Sequence, residues 1–381
     1  MNKHLKKLYT FFRNLYFTIT DDFIFPLLQT LTNGIFLVYR KFNKGNGGRT
    51  LILTQDRIGD CIIRMALLEK YSCYFKDIYF LISKENYDLF RNLSDKLIIL
   101  DNKKMNRNFI YRWKFISKIN FLNFDNIVFS VPMNALDNNK IFNRFLISEN
   151  KFYNEDKCDT KYVLDEQVKL FNNITGQNIK VSEIKTDLTK YLPDKKFNID
   201  HKLFDEDYIV INMGAHDKGR MYPLDKFEIV FQYLLQMGEK IVFLGRGKND
   251  SEYFEGLMKT AKGNSGKVIN LIDKLSLPES LFVIKNSKMF IGVESGLWNA
   301  SYSLNIPSVV IYGGGHFGRF MHQDESIGYV YKKMDCYKCK WNCRYVDVNV
   351  ESAKCISDIE PEKIIDSIRK KWNKEIVYES K

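Results

Sequence analysis

The segment Glu294-Ser295-Gly296 carries side chains that suit the binding of a ligand. It lies between a predicted buried strand, Met289–Val293, and a predicted helix, Leu297–Leu304. Because the strand is apolar on both faces, it is typical of a parallel sheet, where the amides that open the next helix favour an anion. Gly296 allows close approach of a ligand, and Ser295 can cap the helix while offering a hydroxyl group. Glu294 would repel a phosphate but could accept hydrogen bonds from sugar hydroxyls or bind a cation. An ordinary turn with a surface glutamate is the simpler interpretation.

A second polar segment, residues 55–60, follows the first clear strand, Thr50–Thr54. It holds two carboxylates, Asp56 and Asp60, together with Arg57, and it precedes a predicted helix. A strand, a glycine-containing turn and a helix form the opening of an α/β domain, with the turn at the binding edge of the sheet. Capping of the helix is the simpler interpretation of Asp60.

A third polar segment, Gly214–Pro223, follows the predicted strand Tyr208–Met213. Its main-chain amides, together with Lys218 and Arg220, are good partners for a diphosphate. Another glycine-rich turn begins at Gly245, after the next strand along the chain. We therefore expect three polar turns of the second half of the chain to lie on the same edge of one sheet.

Strands and helices alternate along the chain, which predicts parallel sheets of the α/β class. The predicted strands are Thr50–Thr54, Ile78–Ile82, Leu97–Leu100, Asn126–Val131, Tyr208–Met213, Lys240–Leu244, Val268–Leu271, Met289–Val293 and Ser308–Tyr312. A length of 381 residues favours two domains. The turn-rich residues 43–49 and the polar stretch near residues 191–200 are the predicted boundaries.

The formal net charge of +12 raises the question of a nucleic-acid partner. However, Lys is enriched together with Asn, Ile, Phe and Tyr, which indicates a general compositional bias. The sequence has no recognition helix, zinc-finger spacing or aromatic–glycine RNA motif. We therefore predict no nucleic-acid partner and expect the basic charge to serve an anionic substrate or a membrane surface.

The cysteines cluster late in the chain, as Cys336-x2-Cys339-x3-Cys343-x11-Cys355. Four thiolates suit tetrahedral zinc, and the first pair has the usual knuckle spacing, so a structural zinc site is one prediction. Reduced structural cysteines or a pair of disulfides are the alternatives, and an iron–sulfur cluster is a more remote one. The other three of the seven cysteines are scattered, and no cleavable signal is found, which favours a reducing cytoplasm.

The first fifty residues combine basic charge with aromatic side chains. They contain eight Lys or Arg residues against two Asp residues, which is half of the formal net charge of the chain. This pattern predicts peripheral contact of residues 1–45 with the inner face of the cytoplasmic membrane. A helical hairpin packed on the main body or on another subunit is the equal alternative. The run Phe23–Tyr39 is too short and too polar for a spanning helix, which needs about 20 mainly apolar residues.

Three motifs, in order, resemble those of glycosyltransferase family 9, the ADP-heptose:lipopolysaccharide heptosyltransferase family. The first is Asp56–Asp60. The second is Met213–Ala215 followed by Arg220–Pro223, which resembles the family's strand, glycine and Lys-x-Trp-Pro segment. The third is Gly292–Ala300, which resembles Gly-x-Asp-[Ser/Thr]-Gly-x-x-His-x-Ala. The resemblance covers about residues 50–360, and the late cysteine cluster looks like one that some relatives carry.

The resemblance implies the GT-B fold, an α/β architecture in which two Rossmann-like domains face each other across a cleft. It implies an acceptor domain over residues 49–195 and a nucleotide-sugar domain over residues 196–381, with the cysteine cluster and a terminal helix. Residues 1–48 are then a basic, aromatic helical extension.

The resemblance also implies an inverting glycosyltransferase. It would move heptose or another sugar from a nucleotide-diphosphate donor to a hydroxyl of a cell-surface glycan or lipopolysaccharide acceptor. Asp60 matches the general base that takes the proton of this hydroxyl. Arg220 takes the position of a family Lys that neutralises the leaving diphosphate. No cofactor is then required for catalysis, because amides and basic residues stabilise the leaving group. The residues implied on the donor side are Gly214, Lys218, Arg220, Gly245, Glu294, Ser295, Gly296 and Asn299, and those on the acceptor side are Asp56, Arg57 and Gly59.

Two positions depart from the family pattern. The usual Asp of the third motif is Glu294, and the usual His is Asn299. Because both would lie near the donor, a nucleotide-sugar other than ADP-heptose and a non-catalytic relative both stay open, although the retained Asp60 favours an enzyme. The alternative functions are a GT-B nucleotide-sugar epimerase and a non-catalytic glycan- or membrane-binding protein.

Overall fold

The structure is a computed structural model that describes most of the chain. The described residues are 18–42, 48–133, 136–154, 162–192, 197, 199, 204–215, 217–261, 265–349 and 351–379. Three predicted features lie wholly or partly outside them: the basic aromatic stretch before residue 18, the turn-rich boundary at 43–49 and the second boundary near 191–200. Cys158 also lies outside the described residues.

The chain forms two compact units. The first comprises residues 1–56, 69–157 and 169–178, and the second comprises residues 57–68, 158–168 and 179–381. Residues 57–68, which carry Asp60, thus pack with the second half of the chain. The domain ranges given by the resemblance stay predictions.

The first unit is built on a five-stranded parallel sheet. Its strands are β1 (Arg49–Leu53), β2 (Asp77–Ser83), β3 (Leu97–Leu100), β4 (Asn126–Phe129) and β5 (Asn150–Phe152). Their order across the sheet is β3-β2-β1-β4-β5. The helices up to residue 175 are α1 (Phe25–Phe42), α2 (Ile58–Tyr74), α3 (Tyr87–Phe90), α4 (Asn102–Arg107), α5 (Phe109–Phe121), α6 (Asp137–Phe145) and α7 (Val163–Thr175). Of these, α2 and α7 have residues in both units.

The second unit is built on a six-stranded parallel sheet. Its strands are β6 (Tyr208–Asn212), β7 (Lys240–Phe243), β8 (Val268–Asn270), β9 (Met289–Val293), β10 (Ser308–Ile311) and β11 (Ile327–Val330). Their order is β11-β10-β9-β6-β7-β8. Its helices are α8 (Leu224–Gln236), α9 (Lys248–Thr260), α10 (Leu277–Lys285), α11 (Gly296–Ser303), α12 (Lys354–Ser357) and α13 (Pro361–Glu379). Shorter helical turns cover Thr18–Ile24, Lys84–Asn86, Val181–Glu183, Leu188–Tyr191, Lys218–Arg220 and Ser265–Lys267.

The predicted α/β class is confirmed by these two parallel sheets. Every residue of β6 and β9 is buried, as expected for strands that are apolar on both faces. All nine predicted strands are present, with ends that shift by one or two residues. The sequence analysis missed β5, which reads Asn-Lys-Phe, and β11, whose short Ile-Gly-Tyr-Val sequence is interrupted by a glycine. It also missed α6, whose Asn-rich sequence has low helix propensity.

The helix α1 has two different faces. One face is buried on the first unit, where Phe36 packs edge-on against Phe121, with ring centroids 5.7 Å apart. On the same unit, Asn33 Nδ2 donates to the main-chain oxygen of Phe145, and Trp113 Nε1 donates to Thr32 Oγ1. One face of α1 is therefore packed on the first unit, as the packing alternative expected, while the predicted hairpin and the predicted membrane contact stay predictions.

The opposite face of α1 is apolar and exposed. The exposed side chains of this face, with those of the turn before it, are Phe23, Leu27, Leu31, Ile35, Leu37 and Val38. By length and composition, Asp22–Lys41 is also long and apolar enough to cross a membrane, with a mean hydropathy of 1.2. Since the other face is packed on protein, this criterion alone does not decide between a span and a surface contact.

Candidate active site

The turns that follow β6, β7 and β9 lie at the same edge of the second sheet, because these neighbouring strands are parallel. Two of these turns, those after β6 and β9, flank the point where the strand order reverses. Numbered from β6, its strand order is that of a doubly wound Rossmann sheet, in which the order reverses between β6 and β9. Ligands of such sheets bind at this reversal, beyond the carboxyl ends of the strands. The turns that follow β6 and β9 are residues 213–223 and 294–296, so both lie at the expected binding edge.

The turn after β9 is held by side-chain hydrogen bonds. Ser295 is the N-cap of α11, and its Oγ accepts from the main-chain nitrogen of Trp298 at 3.3 Å. The same hydroxyl donates to Asn212 Oδ1 at 2.9 Å. Asn212 Nδ2 in turn donates to the main-chain oxygen of Leu244 at 3.0 Å. The polar end of β6 therefore fixes the cap of α11, and the sequence analysis missed this role of Asn212.

Arg220 and Glu294 form a close ion pair in this site. Arg220 Nη2 lies 2.8 Å from Glu294 Oε2 and donates to the main-chain oxygen of Glu294 at 2.6 Å. The two side chains are only 15% and 10% exposed, so the interpretation of Glu294 as a surface glutamate is wrong. Since the guanidinium compensates the carboxylate, Glu294 does not leave an isolated negative charge where a diphosphate is expected.

The guanidinium of Arg220 has a further partner and an unused donor. It lies 5.6 Å from the ring centroid of Trp341, in a cation–π contact. Its Nε is buried and has no hydrogen-bond partner among the described residues. A buried donor without a partner is costly, and an anionic ligand oxygen could satisfy it.

The N-terminus of α2 packs directly on the turn at residue 296. A Cβ atom on Gly59 would lie 3.0 Å from Asn299 Nδ2 and 3.2 Å from Gly296 Cα. A Cβ atom on Gly296 would lie 2.8 Å from Ile58 Cγ2. These close approaches show that the two turns are in contact within the second unit, and a side chain at either position would require its neighbours to shift.

The half-buried Asp60 follows Gly59 directly and so lies one residue from this contact. The helix α2 begins at Ile58, so Asp60 lies in its first turn. Asp60 is therefore inside the first turn and not at the N-cap position, where its carboxylate can still interact with the first amides of the helix, so the capping interpretation stays open. The helix dipole stabilises the negative charge of a carboxylate in the first turn.

The glycines Gly214 and Gly245 make room for a carboxylate that the sequence analysis missed. A Cβ atom on either glycine would overlap the side chain of Asp250, in the first turn of α9. Asp250 Oδ2 accepts from the main-chain nitrogen of Arg246 at 3.1 Å, and Oδ1 accepts from Asn212 Nδ2 at 3.3 Å. The structure thus gives both glycines a packing reason, while their predicted contact with a donor stays a prediction.

Burial raises the pKa of Asp250 to about 6. Hydrogen bonds from the amides of Arg246 and Gly214 oppose this shift, and the neighbouring Asp273 adds to it. The only signal for Asp250 in the sequence is its place at the end of the glycine-rich turn that begins at Gly245.

Other predicted site residues lie further into solvent. Lys218 and Arg57 are exposed, and Asp56 is half-buried. In the first unit, the main-chain oxygen of Asp56 accepts from Asn86 Nδ2 at 2.7 Å. The predicted donor and acceptor roles of these three residues stay predictions.

The cysteine loop, residues 336–343, packs on the glycine triplet Gly313-Gly314-Gly315. Cβ atoms on these glycines would overlap the rings of Trp341 and Tyr337. All described cysteines are free, so the disulfide alternative is wrong for this cluster. Cys355 Sγ accepts from the main-chain nitrogen of Gly314 at 3.2 Å.

The four clustered thiols do not form a metal site in the described part of the chain. Burial raises the pKa values of Cys339 and Cys355, and the neighbouring cysteines of the cluster add to this effect. However, no group of three or more His, Cys, Asp or Glu side chains among the described residues is arranged to hold a metal ion. The geometry therefore does not support the zinc prediction and agrees with reduced structural cysteines.

A doubly wound sheet with a capped helix N-terminus and a half-buried arginine at its reversal is typical of nucleotide-binding α/β proteins. The chain belongs to glycosyltransferase family 9. The family model, described as glycosyltransferase family 9 (heptosyltransferase), matches residues 143–346, which is more than half of the chain.

Known proteins agree with this assignment. The chain is 22% identical over 352 residues to lipopolysaccharide heptosyltransferase 1 of Campylobacter coli, covering 85% of this chain and 99% of the relative. It is similar to the solved family 9 glycosyltransferase of Veillonella parvula, with a TM-score of 0.63, 17% identity and coverage of 85% of this chain and 96% of that one. It is also similar to E. coli heptosyltransferase WaaC, solved with ADP-2-deoxy-2-fluoro heptose. That match has a TM-score of 0.60, 13% identity and coverage of 84% and 99%.

These comparisons confirm the family that the three motifs predicted and the GT-B fold. The protein is therefore a glycosyltransferase. The residues assigned to its site rest on the geometry given above.

The raised pKa of Asp250 predicts a specific pH dependence of stability. Its ordinary value is 3.8, so between about pH 4 and pH 6 the folded protein holds a proton that the unfolded chain releases. The contribution of Asp250 to the free energy of unfolding therefore falls as the pH rises through this window. We expect the stability of the native protein, relative to Asp250→Asn, to fall by about 2 kcal/mol from pH 4.5 to pH 7.

Denaturant unfolding of both proteins at the two pH values measures this difference. Asp366→Asn, which replaces an exposed carboxylate on α13, is the control and should follow the native pH curve. Parallel curves for the native protein and Asp250→Asn would show that the pKa of Asp250 is not raised.

The cysteine cluster predicts a pattern of thiol reactivity. In the native protein, Cys336, Cys339 and Cys343 are half-buried, whereas Cys61 and Cys355 are buried. We expect a disulfide reagent to modify the three half-buried cysteines readily and the two buried cysteines only after unfolding. A chelator should change neither rate of modification. The triple variant with Ser at 336, 339 and 343 supplies the matched baseline. An increase in reactive thiols on chelation, with metal released into solution, would restore the zinc prediction.

Proposed function

We propose that this glycosyltransferase moves a heptose from a nucleoside-diphosphate donor to a hydroxyl of a lipopolysaccharide acceptor. The observation that carries the proposal is the contact of Gly59 with Gly296 and Asn299, from which we infer that the next residue, Asp60, faces the turn that opens α11. The names of the relatives support heptose as the sugar and lipopolysaccharide as the acceptor. Transfer to such an acceptor takes place in the cytoplasm, at the inner face of the membrane.

The donor diphosphate is assigned to the turn at residues 294–296. The amides that open α11 carry partial positive charge, and Ser295 adds a hydroxyl group at the same end. Arg220 supplies the full positive charge, and its unused Nε–H can meet a phosphate oxygen. The carboxylate of Glu294 is paired with Arg220 and therefore orients the guanidinium. This role is separate from any contact of Glu294 with the sugar.

The acceptor hydroxyl is assigned to the side of Asp60. In an inverting transfer, this hydroxyl attacks the anomeric carbon while the bond from that carbon to the diphosphate breaks. Asp60 takes the proton of the hydroxyl, and Arg220 with the α11 amides stabilises the charge that develops on the diphosphate. A base beside the donor turn is what this reaction needs.

We expect Asp60→Asn to lower the rate of transfer by about 100- to 10,000-fold, because the amide cannot take the proton. The rate is measured as release of nucleoside diphosphate from a nucleoside-diphosphate heptose in the presence of the acceptor. Calorimetric titration with the nucleoside diphosphate should give an affinity close to that of the native protein.

Asp95→Asn, which changes an exposed carboxylate of the first unit, is the matched control and should keep native activity. Native rates in Asp60→Asn would remove this residue from the chemistry. Failure of the native protein to release any nucleoside diphosphate would contradict the proposed reaction itself.

We also propose that the exposed face of α1 lies on an anionic membrane surface. Phe23, Leu27, Leu31, Ile35 and Val38 recur at intervals of four or three residues, which places them in one stripe. Lys41 is exposed in the last turn of the helix, where it can meet lipid phosphates, whereas Arg40 is paired with Asp125 and Glu149 of the first unit. Since the other face is held on the first unit, the helix would lie in the membrane plane. A membrane-bound enzyme would then meet its lipid-linked acceptor at the same surface.

The double variant Leu27→Glu/Leu31→Glu tests the membrane contact. Burial of each leucine contributes about 1.5–3 kcal/mol, so loss of both should lower binding to vesicles by at least about 100-fold. Co-sedimentation with vesicles of phosphatidylglycerol and phosphatidylethanolamine measures binding. Ile229→Glu, at a similarly exposed position of α8, should leave it unchanged. Unchanged sedimentation of the double variant would contradict the membrane contact. If the native protein is a dimer and the double variant is a monomer, this face makes protein contacts instead.

A further inference from the structure

A buried histidine contacts the site from behind the α11 turn. His322 is 4% exposed and lies between Tyr162 and Asn299. Its Nδ1 is 2.7 Å from the hydroxyl of Tyr162, and its Nε2 is 3.0 Å from Asn299 Oδ1. The ring of Tyr302 stacks on the imidazole, with centroids 3.8 Å apart and planes 9° from parallel. Residues from two distant segments of the second unit thus fix this ring on both edges and one face.

The hydrogen bonds of Asn299 select one tautomer of His322. Asn299 Nδ2 donates to the main-chain oxygen of Ser295 at 3.1 Å, so Oδ1 is the atom that faces the histidine. Because Oδ1 can only accept, Nε2 of His322 must carry the proton. Nδ1 then accepts from the hydroxyl of Tyr162. The result is one directional chain, from Tyr162 through His322 and Asn299 to the oxygen of Ser295.

The surroundings keep this chain in a single protonation state. Burial lowers the pKa of His322 to about 3, and the positive charge of Lys185 adds to the effect, opposed by Asp324. Burial raises the pKa of Tyr162, so its hydroxyl keeps its proton. Tyr302, which stacks on the ring, and Tyr329, which donates to the main-chain oxygen of His322, are neutral because burial also raises their pKa values. The imidazole is therefore neutral throughout the physiological range.

Asn299 is the link from this chain to the reacting groups. Its Nδ2 packs on Gly59, next to Asp60, while its main-chain nitrogen donates to the oxygen of Ser295 at 3.2 Å. Rotation of the Asn299 amide would break the bond to Ser295 and turn a different atom towards Gly59. The oxygen of Ser295 on one side and a donor on the far side of Asn299 together hold the amide in its present orientation.

We propose that His322 is a positioning residue that, by donating from Nε2 to Asn299, fixes the α11 turn against Gly59 and so aligns the donor with Asp60. This inference rests on the proposed transfer reaction. A purely apolar side chain of similar size would fill the same space, but it would leave Asn299 Oδ1 and the hydroxyl of Tyr162 without their partner.

Two substitutions separate positioning from packing. In His322→Gln, the side-chain amide nitrogen can take the place of Nε2 and donate to Asn299. In His322→Leu, the space is filled and the donor is lost. We expect kcat to fall by about 10- to 100-fold in His322→Leu and to stay within about threefold of native in His322→Gln. The Kd of the nucleoside diphosphate and the thermal unfolding temperature of each variant show whether the site is still folded.

A spectroscopic measurement tests the chain without any substrate. The side-chain nitrogen resonances of 15N-histidine-labelled protein, assigned to His322 by their loss in His322→Gln, should show a neutral ring protonated at Nε2 from pH 5.5 to pH 8. A ring that titrates in this range, or one protonated at Nδ1, would overturn the inference.

The kinetic outcomes are equally distinct. Equal activity of His322→Leu and His322→Gln would overturn the positioning role, because the donor would then be dispensable. If the native protein transfers no sugar, the proposed function fails instead, and the tautomer measurement still decides the arrangement of the chain.

Discussion

The contact between Gly59 and Gly296 is the constraint on which the site depends. Two main-chain segments meet without side chains between them, so the start of α2 reaches the N-terminus of α11. A methyl group on Gly59 would push against Gly296 and Asn299, and one on Gly296 would push against the side chain of Ile58, so either change would loosen this contact. The parallel sheet sets the direction of α11, and its cap by Ser295 and Asn212 sets where the first amides point.

Charge compensation follows from the same arrangement. A carboxylate at the reversal of a doubly wound sheet would oppose a diphosphate, yet Glu294 lies there with little exposure. The longer side chain of Glu allows it to reach Arg220, which also contacts the main-chain oxygen of the same residue. The departure from the usual family Asp therefore produces a paired group that shapes the guanidinium, and it does not by itself indicate a lost activity.

The fold could be predicted largely from the sequence, because its buried strands are continuous apolar runs that end in polar turns. The turns themselves were found for the same reason. The sequence did not reveal Asn212, Asp250 or His322, because the role of each depends on partners far along the chain. Asn212 ends an apolar strand, and His322 lies in a segment with no periodic pattern. The spacing of the cysteines predicted zinc, but spacing along a loop does not fix the directions in which thiols point.

The glycine triplet at residues 313–315 has a consequence for how this protein can change. Its backbone is covered by the rings of Trp341 and Tyr337, which leave no space for even the smallest side chain. A single nucleotide change that turns one of these glycines into alanine would therefore displace the aromatic ring that packs on it. Displacement of Trp341 would also remove its cation–π contact with Arg220. A glycine of this triplet can therefore be replaced only after the aromatic residue that packs on it has changed to a smaller one.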